Sequence, residues 1–173
     1  LVFLLEVIFS ETERRAVLNE AERRQNYNLE RNIKGRNGGA ERGDIALMHH
    51  KLGCAGEMAV AKYLGLKNFL FTELSPKKGS CDLPFSIDVK TRRRSWHNLI
   101  VQKDDIKSKN FWLVTIEDKH INLEGWIYGH EAFKDEYIND PVGGRSAYFV
   151  PKHRLRAPEL FYQHFEPLDS DSM

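Results

Sequence analysis

The sequence predicts an α/β (α+β) domain, a central mixed β-sheet flanked by helices, with the main helices N-terminal to the sheet. Three observations carry this. Helical periodicity belongs to the N-terminal part, where Ile45, Met48, Leu52, Ala55, Ala59 and Tyr63 recur at three- and four-residue spacing. Beyond Gly65 the pattern shortens to alternation, with Ile87 and Val89 on one face of a strand and Asp88 and Lys90 on the other. Phe111 to Ile116 reads as an apolar run, as expected of a central strand buried on both faces.

The elements follow in order. Val2 to Phe9, rich in Val, Leu, Ile and Phe, reads as a strand. Ser10 with Glu13 three residues on forms a capping box, in which the serine oxygen takes a free backbone N–H and the glutamate reaches back. Residues 11–31 form a polar helix with few apolar anchors (Ala16, Val17, Leu18, Ala21, Leu29), so it lies on the surface or touches a charged partner. Gly35, Gly38, Gly39 and Gly43 mark a flexible loop. A second helix runs from Asp44 to about Leu64. It contains Gly53 and Gly56, each costing ~1 kcal/mol relative to Ala, which points to close packing or a ligand. Gly65 ends it. Strands are predicted at Phe69–Thr72, Ile87–Arg92, Leu99–Gln102, Phe111–Ile116, Gly125–Tyr128 and Tyr148–Val150. Short helices are predicted near Glu131–Lys134 and Pro158–His164. The 173 residues fit one domain. Residues 1–43 hold the first strand, polar helix and Gly-rich loop, 44–128 the core, and 129–173 the C-terminal strand and helices.

Composition narrows the class. Hydrophobic residues make up 41% and charged residues 29%, which excludes a disordered tail and a membrane protein. Cys54 and Cys81 are the only cysteines, too few for a disulfide scaffold or a four-cysteine zinc site. No stretch reaches the ~18 apolar residues of a membrane span. Leu1 to Phe9 is interrupted by Glu6 and lacks a basic n-region, so it makes a poor signal peptide. The missing initiator Met suggests a trimmed or incomplete start, and a cytoplasmic location is expected. The net charge is +1, but it is polarised. Nine basic and four acidic side chains lie in 76–110, against two and seven in 111–140. The block Lys77, Lys78, Lys90, Arg92, Arg93, Arg94, Lys103, Lys107 and Lys109 is either a phosphate-attracting patch or a solvated face.

Glu57, Asp82, Asp88 and Lys90 carry the chemistry. Glu57 sits on the second helix beside Val60, Ala61 and Leu64, and a carboxylate in that company needs a partner or a metal. A hairpin through Leu83-Pro84-Phe85-Ser86 would bring Asp82 near Asp88. Two converging carboxylates repel unless a cation joins them, and hard oxygen ligands select Mg²⁺ or Mn²⁺. Such a metal lowers the pKa of a bound water, and Lys90 beside it offsets charge on a phosphorus. The arginine run holds neighbouring phosphates. Each piece also has an ordinary structural reading: Glu57 as a helix salt-bridge residue, Asp82 as a turn residue, Asp88 and Lys90 as a solvated pair. Trp96 and His97 touch the nucleic acid or pack as loop residues, the latter being the commoner use of such a tryptophan. His49 and His50 diverge on their helix and make a poor metal pair. Trp112 and Trp126 read as core, and the two cysteines as small packing residues.

Gly53-Cys54-Ala55-Gly56-Glu57-Met58-Ala59-Val60-Ala61-Lys62-Tyr63-Leu64-Gly65, then Ser80-Cys81-Asp82-Leu83, then Ile87-Asp88-Val89-Lys90-Thr91, resemble the three motifs of the PD-(D/E)xK nuclease superfamily. The likeness covers about residues 44–128, and Tyr148-Phe149-Val150-Pro151 resembles phage-encoded members. Cys81 stands where the family has proline, five residues separate Asp82 from Asp88, and no Gln-x-x-x-Tyr follows the lysine. The resemblance implies a restriction-endonuclease-like core and a Mg²⁺- or Mn²⁺-dependent nuclease acting on duplex or branched DNA, as resolvase-like members do. It implies Asp82, Asp88 and the Val89 carbonyl as metal ligands, Glu57 as a further ligand, direct or through water, and Lys90 as the catalytic lysine. Lys77, Lys78, Arg92, Arg93, Arg94 and His97 would then contact DNA. Neither a small-molecule cofactor nor a membrane is expected, and a homodimer would supply two sites for cutting both strands. The alternatives are a catalytically inactive nucleic-acid-binding module on the same fold, and a protein-interaction role for the polar helix and acidic segment.

Overall fold

In a computed structural model, residues 5–33, 43–66, 71 and 81–164 are described. They form a mixed α+β fold. A four-stranded sheet carries two long helices on one face and a three-stranded sheet on the other. Helix α1 spans Glu11–Glu30 and α2 spans Asp44–Tyr63. The larger sheet has the order β1 (Leu5–Glu6), β5 (His120–Tyr128), β4 (Asn110–Glu117), β2 (Ile87–Arg92). Strand β2 runs parallel to β4 and the other pairs are antiparallel. The smaller sheet has the order β3 (Leu99–Val101), β7 (Ala147–Val150), β6 (Ile138–Asn139). Among the described residues no helix is long and apolar enough to cross a membrane.

Strand β4 explains the layering. Trp112 and Val114 point into the core beneath α2, whereas Phe111 and Leu113 point into the core shared with the smaller sheet. All four are fully buried, because a strand covered on both faces must be apolar on both. Trp112, Trp126 and Phe161 meet edge to face at about 5 Å, the favoured geometry for aromatic quadrupoles.

The helices begin and end where local chemistry directs. The capping box at Ser10 and Glu13 is formed in both directions, at 3.2 and 2.7 Å. Helix α2 stops before Gly65, whose φ of +65° lies in the left-handed region that glycine enters without strain. Its buried side differs from the expected stripe. Cys54, Glu57, Met58, Val60 and Ala61 are buried with Ala59, while Ile45 is 59% exposed. Helix α1 packs along α2 and shifts the covered arc, so a stripe read from one helix alone points the wrong way.

Gly56 is the closest approach of α2 to β2. A Cβ built there would lie 2.0 Å from Thr91 Oγ1 and 3.3 Å from Val89 Cγ1, whereas at Gly53 it would meet nothing. Of the two helical glycines, only Gly56 is thus required by packing. Gly56→Ala is expected to destabilise the protein by about 2 kcal/mol, because overpacking outweighs the gain in helix propensity. Thermal melts should show the double variant with Thr91→Ala recovering part of the loss.

Other differences are local. Strand β5 begins at His120, five residues before the expected Gly125, and β6 was not expected. The segment predicted helical at Glu131–Lys134 is one turn, Gly129–Ala132, and Pro158–His164 holds two 3₁₀ turns, Pro158–Leu160 and Tyr162–His164. The strand expected at Phe69–Thr72 lies outside the described residues apart from Phe71, as does most of the Gly-rich loop.

Candidate active site

Asp82 and Asp88 are brought together by the short hairpin. Leu83 bridges Ile87, and Asp82 N–H and Leu83 N–H both donate to the Ile87 carbonyl. The turn lacks glycine, so Phe85 and Ser86 take φ of 60° and 55°, a left-handed pair that costs roughly 1–2 kcal/mol each. Asn110 braces it. Its side-chain amide donates to the Phe85 carbonyl and its backbone N–H to the Ser86 carbonyl, both at 2.8 Å.

Asp88 and Lys90 share the face of β2 turned away from α2. Asp82 accepts the Val89 N–H at 2.7 Å and hydrogen-bonds Asp88. Lys90 Nζ lies 3.0 Å from Asp88 Oδ2 and 2.9 Å from Asp105 Oδ2. Lys109 Nζ lies 3.6 Å from Asp88. Asp105 also accepts the Gln102 N–H at 2.8 Å, so the partner of Lys90 is anchored on backbone.

The electrostatics separate the two aspartates. Burial, then the neighbouring Asp88 and Glu57, push the Asp82 carboxyl up to about 8. Burial opposes the Asp88 charge too, but Lys90, the hydrogen bond from Asp82, and Lys109 outweigh it and hold its carboxyl below the usual range. For Lys90, burial disfavours the ammonium, but Asp88 and Asp105 overcome this and raise its pKa. Two buried carboxylates this close are held more easily with one proton between them than with both charged.

Asp82→Asn removes that conflict and keeps an acceptor for Val89. Because the folded carboxyl titrates above its unfolded value, the folded state loses stability as pH rises from about 4 towards 8. The metal-free variant is expected to gain about 2 kcal/mol near neutral pH and almost nothing near pH 4. Thermal melts in EDTA at both pH values check this.

Glu57 is buried, 6% exposed, and its charge reaches Asp82. Both its oxygens accept from Arg24 of α1, at 2.8 Å each. Arg24 also donates through Nε to Glu20 at 2.8 Å, and Glu20 takes two further bonds from Arg23. The charged partner of the polar helix is thus α2. Burial disfavours the Arg24 guanidinium, but Glu57 and Glu20 outweigh it and raise its pKa.

The arginine run divides. Arg92 faces the same way as Asp88 and Lys90, and burial lowers its pKa. Arg93 is exposed. Arg94 is tied at 3.1 Å to Glu117, which also accepts the Ser95 N–H. His97 is half-buried against Trp96, with ring centroids 4.4 Å apart. Burial, then Arg92 and Arg94, lower its pKa. Trp96 is 74% exposed, so it is not the packed loop tryptophan expected. Lys77 and Lys78 lie outside the described residues.

Among the described residues, no group of three or more His, Cys, Asp and Glu side chains is placed to hold a metal ion. The cluster offers two touching carboxylates, which suits Mg²⁺, an ion bound through one or two carboxylates that keeps several waters. Asp105, Lys109, Arg24, Glu20 and Asn110 were not singled out in the sequence as site residues. All but Glu20 act across a gap in the chain that local spacing does not encode; Glu20 meets Arg23 and Arg24 at the i,i+3 and i,i+4 spacing of its own helix, a signal the sequence carried. No protein-family model, curated protein or solved structure matches this chain.

Proposed function

We propose that the protein is a metal-dependent nuclease that hydrolyses DNA phosphodiester bonds on a restriction-endonuclease-like, PD-(D/E)xK-type core. The observation that carries this reading is the contact of Asp82, Asp88 and Lys90 at the edge of the sheet: a repelling carboxylate pair with an ammonium 3.0 Å away. Two carboxylates that sit more easily with one proton between them are a donor set that a divalent cation satisfies better. Asp82, Asp88 and the Val89 carbonyl would hold Mg²⁺ or Mn²⁺. When bound, the ion supplies a Lewis acid for a phosphate oxygen and a water of lowered pKa.

The chain's own groups do the rest. Lys90, kept charged by Asp88 and Asp105, is placed to offset negative charge developing on the phosphate. Asp105 fixes the ammonium, since its carboxylate is itself held by the Gln102 N–H. Glu57 adds negative field from the helix while its oxygens stay on Arg24. Arg92 and the exposed Arg93 supply positive charge for phosphates on either side.

Engagement of both Glu57 oxygens favours one competing reading, a DNA-binding module without hydrolysis. Cleavage of linear duplex, single strand, supercoiled plasmid and four-way junction separates the two. Cutting is expected with Mg²⁺ or Mn²⁺, lost in EDTA and lost in Lys90→Ala. Binding without cutting at low salt would replace the nuclease by the module.

A further inference from the structure

Beyond Lys90 the same face of β2 continues into a groove of about 400 Å³. Arg92 forms its end nearest the aspartates. Ile100 and Gln102 lie beside Phe149 and Ala147 of β7 on one face of the smaller sheet and form one wall, with Ile100 paired to Phe149, and Pro141, Val142 and Arg145 form the rim. Asp140 accepts the backbone N–H groups of Gly144 and Arg145 at 2.7 and 3.0 Å, which fixes the rim loop.

Two features say what this groove takes. The Arg92 Nε is shielded from solvent and has no hydrogen-bond partner among the described residues. No ligand reaches that Nε, but the half-buried guanidinium as a whole lines the groove without an ion-pair partner among the described residues, and such a cation is costly unless an anion meets its remaining N–H groups, as a phosphate does. The remaining lining is largely aliphatic and aromatic, which a sugar–phosphate backbone alone does not fit. A base does, with its flat face against Phe149. In a paired duplex that face is stacked within the helix, so only an unpaired nucleotide can enter. Arg92 lies ~13 Å along the strand from Asp88, so it would meet a neighbour of the phosphate at the aspartates.

We infer that the groove holds one unpaired nucleotide of the DNA strand being cut, with its phosphate on Arg92 and its base against Phe149. This rests on the nuclease reading for its substrate and adds a preference for DNA with an unpaired segment beside the cut.

Binding in EDTA separates the two claims, because no cutting intervenes. The probes are a labelled duplex of about 20 base pairs and the same duplex with a short unpaired tail, at low salt. The protein is expected to bind the tailed DNA about tenfold tighter, the scale of one base stacked on a ring. Val142→Glu should erase that difference and leave duplex binding within about twofold, whereas Arg92→Ala should erase it and weaken binding of both probes, because Arg92 also supplies positive charge to the duplex. Val142 is 74% exposed, so Val142→Glu tests the groove without touching the core, and Val142→Lys should widen the preference. Equal affinity of the protein for both probes, or a preference unchanged in Arg92→Ala and Val142→Glu, overturns the inference. If cutting with Mg²⁺ persists in that case, the nuclease reading stands alone. A groove-dependent preference without cutting by the unaltered protein would remove the nuclease and keep the groove.

Discussion

Lys90→Ala is expected to lower Mg²⁺-dependent DNA cleavage by about 10³-fold at saturating DNA, with DNA affinity changed far less. The ammonium lies 3.0 Å from Asp88, close enough to act on charge at the reacting phosphate and on little of the remaining backbone. The fold should survive the change. Asp88 keeps Lys109 at 3.6 Å, and Asp105 keeps the Gln102 N–H. Single-turnover cleavage, with circular dichroism as control, is the measurement. Cleavage within about tenfold of the unaltered protein would remove Lys90 from the chemistry.

The second large effect falls on stability. Arg24→Ala is expected to cost about 3–5 kcal/mol, because it leaves Glu57 buried with neither oxygen bonded to its partner. Glu20 would keep Arg23 and lose less. The loss should appear in denaturant melts as a lower midpoint with an unchanged slope. Arg24→Ala combined with Glu57→Gln should recover part of it, since an amide is cheaper to bury than a charge. If the double variant is no more stable than Arg24→Ala alone, the charge of Glu57 is not the source of the loss.

Legibility of the sequence followed the range of the interaction. Asp88 and Lys90 are two residues apart on a strand, so their common face was readable from alternation, as was the hairpin returning Asp82 towards them. Ser10 and Gly65 act through backbone groups a few residues away, and both helix ends were readable for that reason. Asp105 reaches Lys90 from a loop after β3, and Arg24 reaches Glu57 from another helix. No local pattern marks such pairs, because tertiary packing creates them. The stripe of α2 failed in the same way: the core lies where α1 and the sheet together cover the helix. Strand β6 is two exposed residues long, too short to leave a periodic trace.

The bond from Val89 N–H to Asp82 has a consequence for association between molecules. Strand β2 is the outermost strand of its sheet, and an outermost strand offers unpaired backbone groups to any passing chain. Here the Ile87 carbonyl is taken by the backbone of Asp82 and Leu83, and the Val89 N–H by the Asp82 side chain. The same residue that faces Asp88 therefore blunts this edge against pairing with a strand of another chain. Two copies assembled to cut both strands of a duplex would meet through another surface.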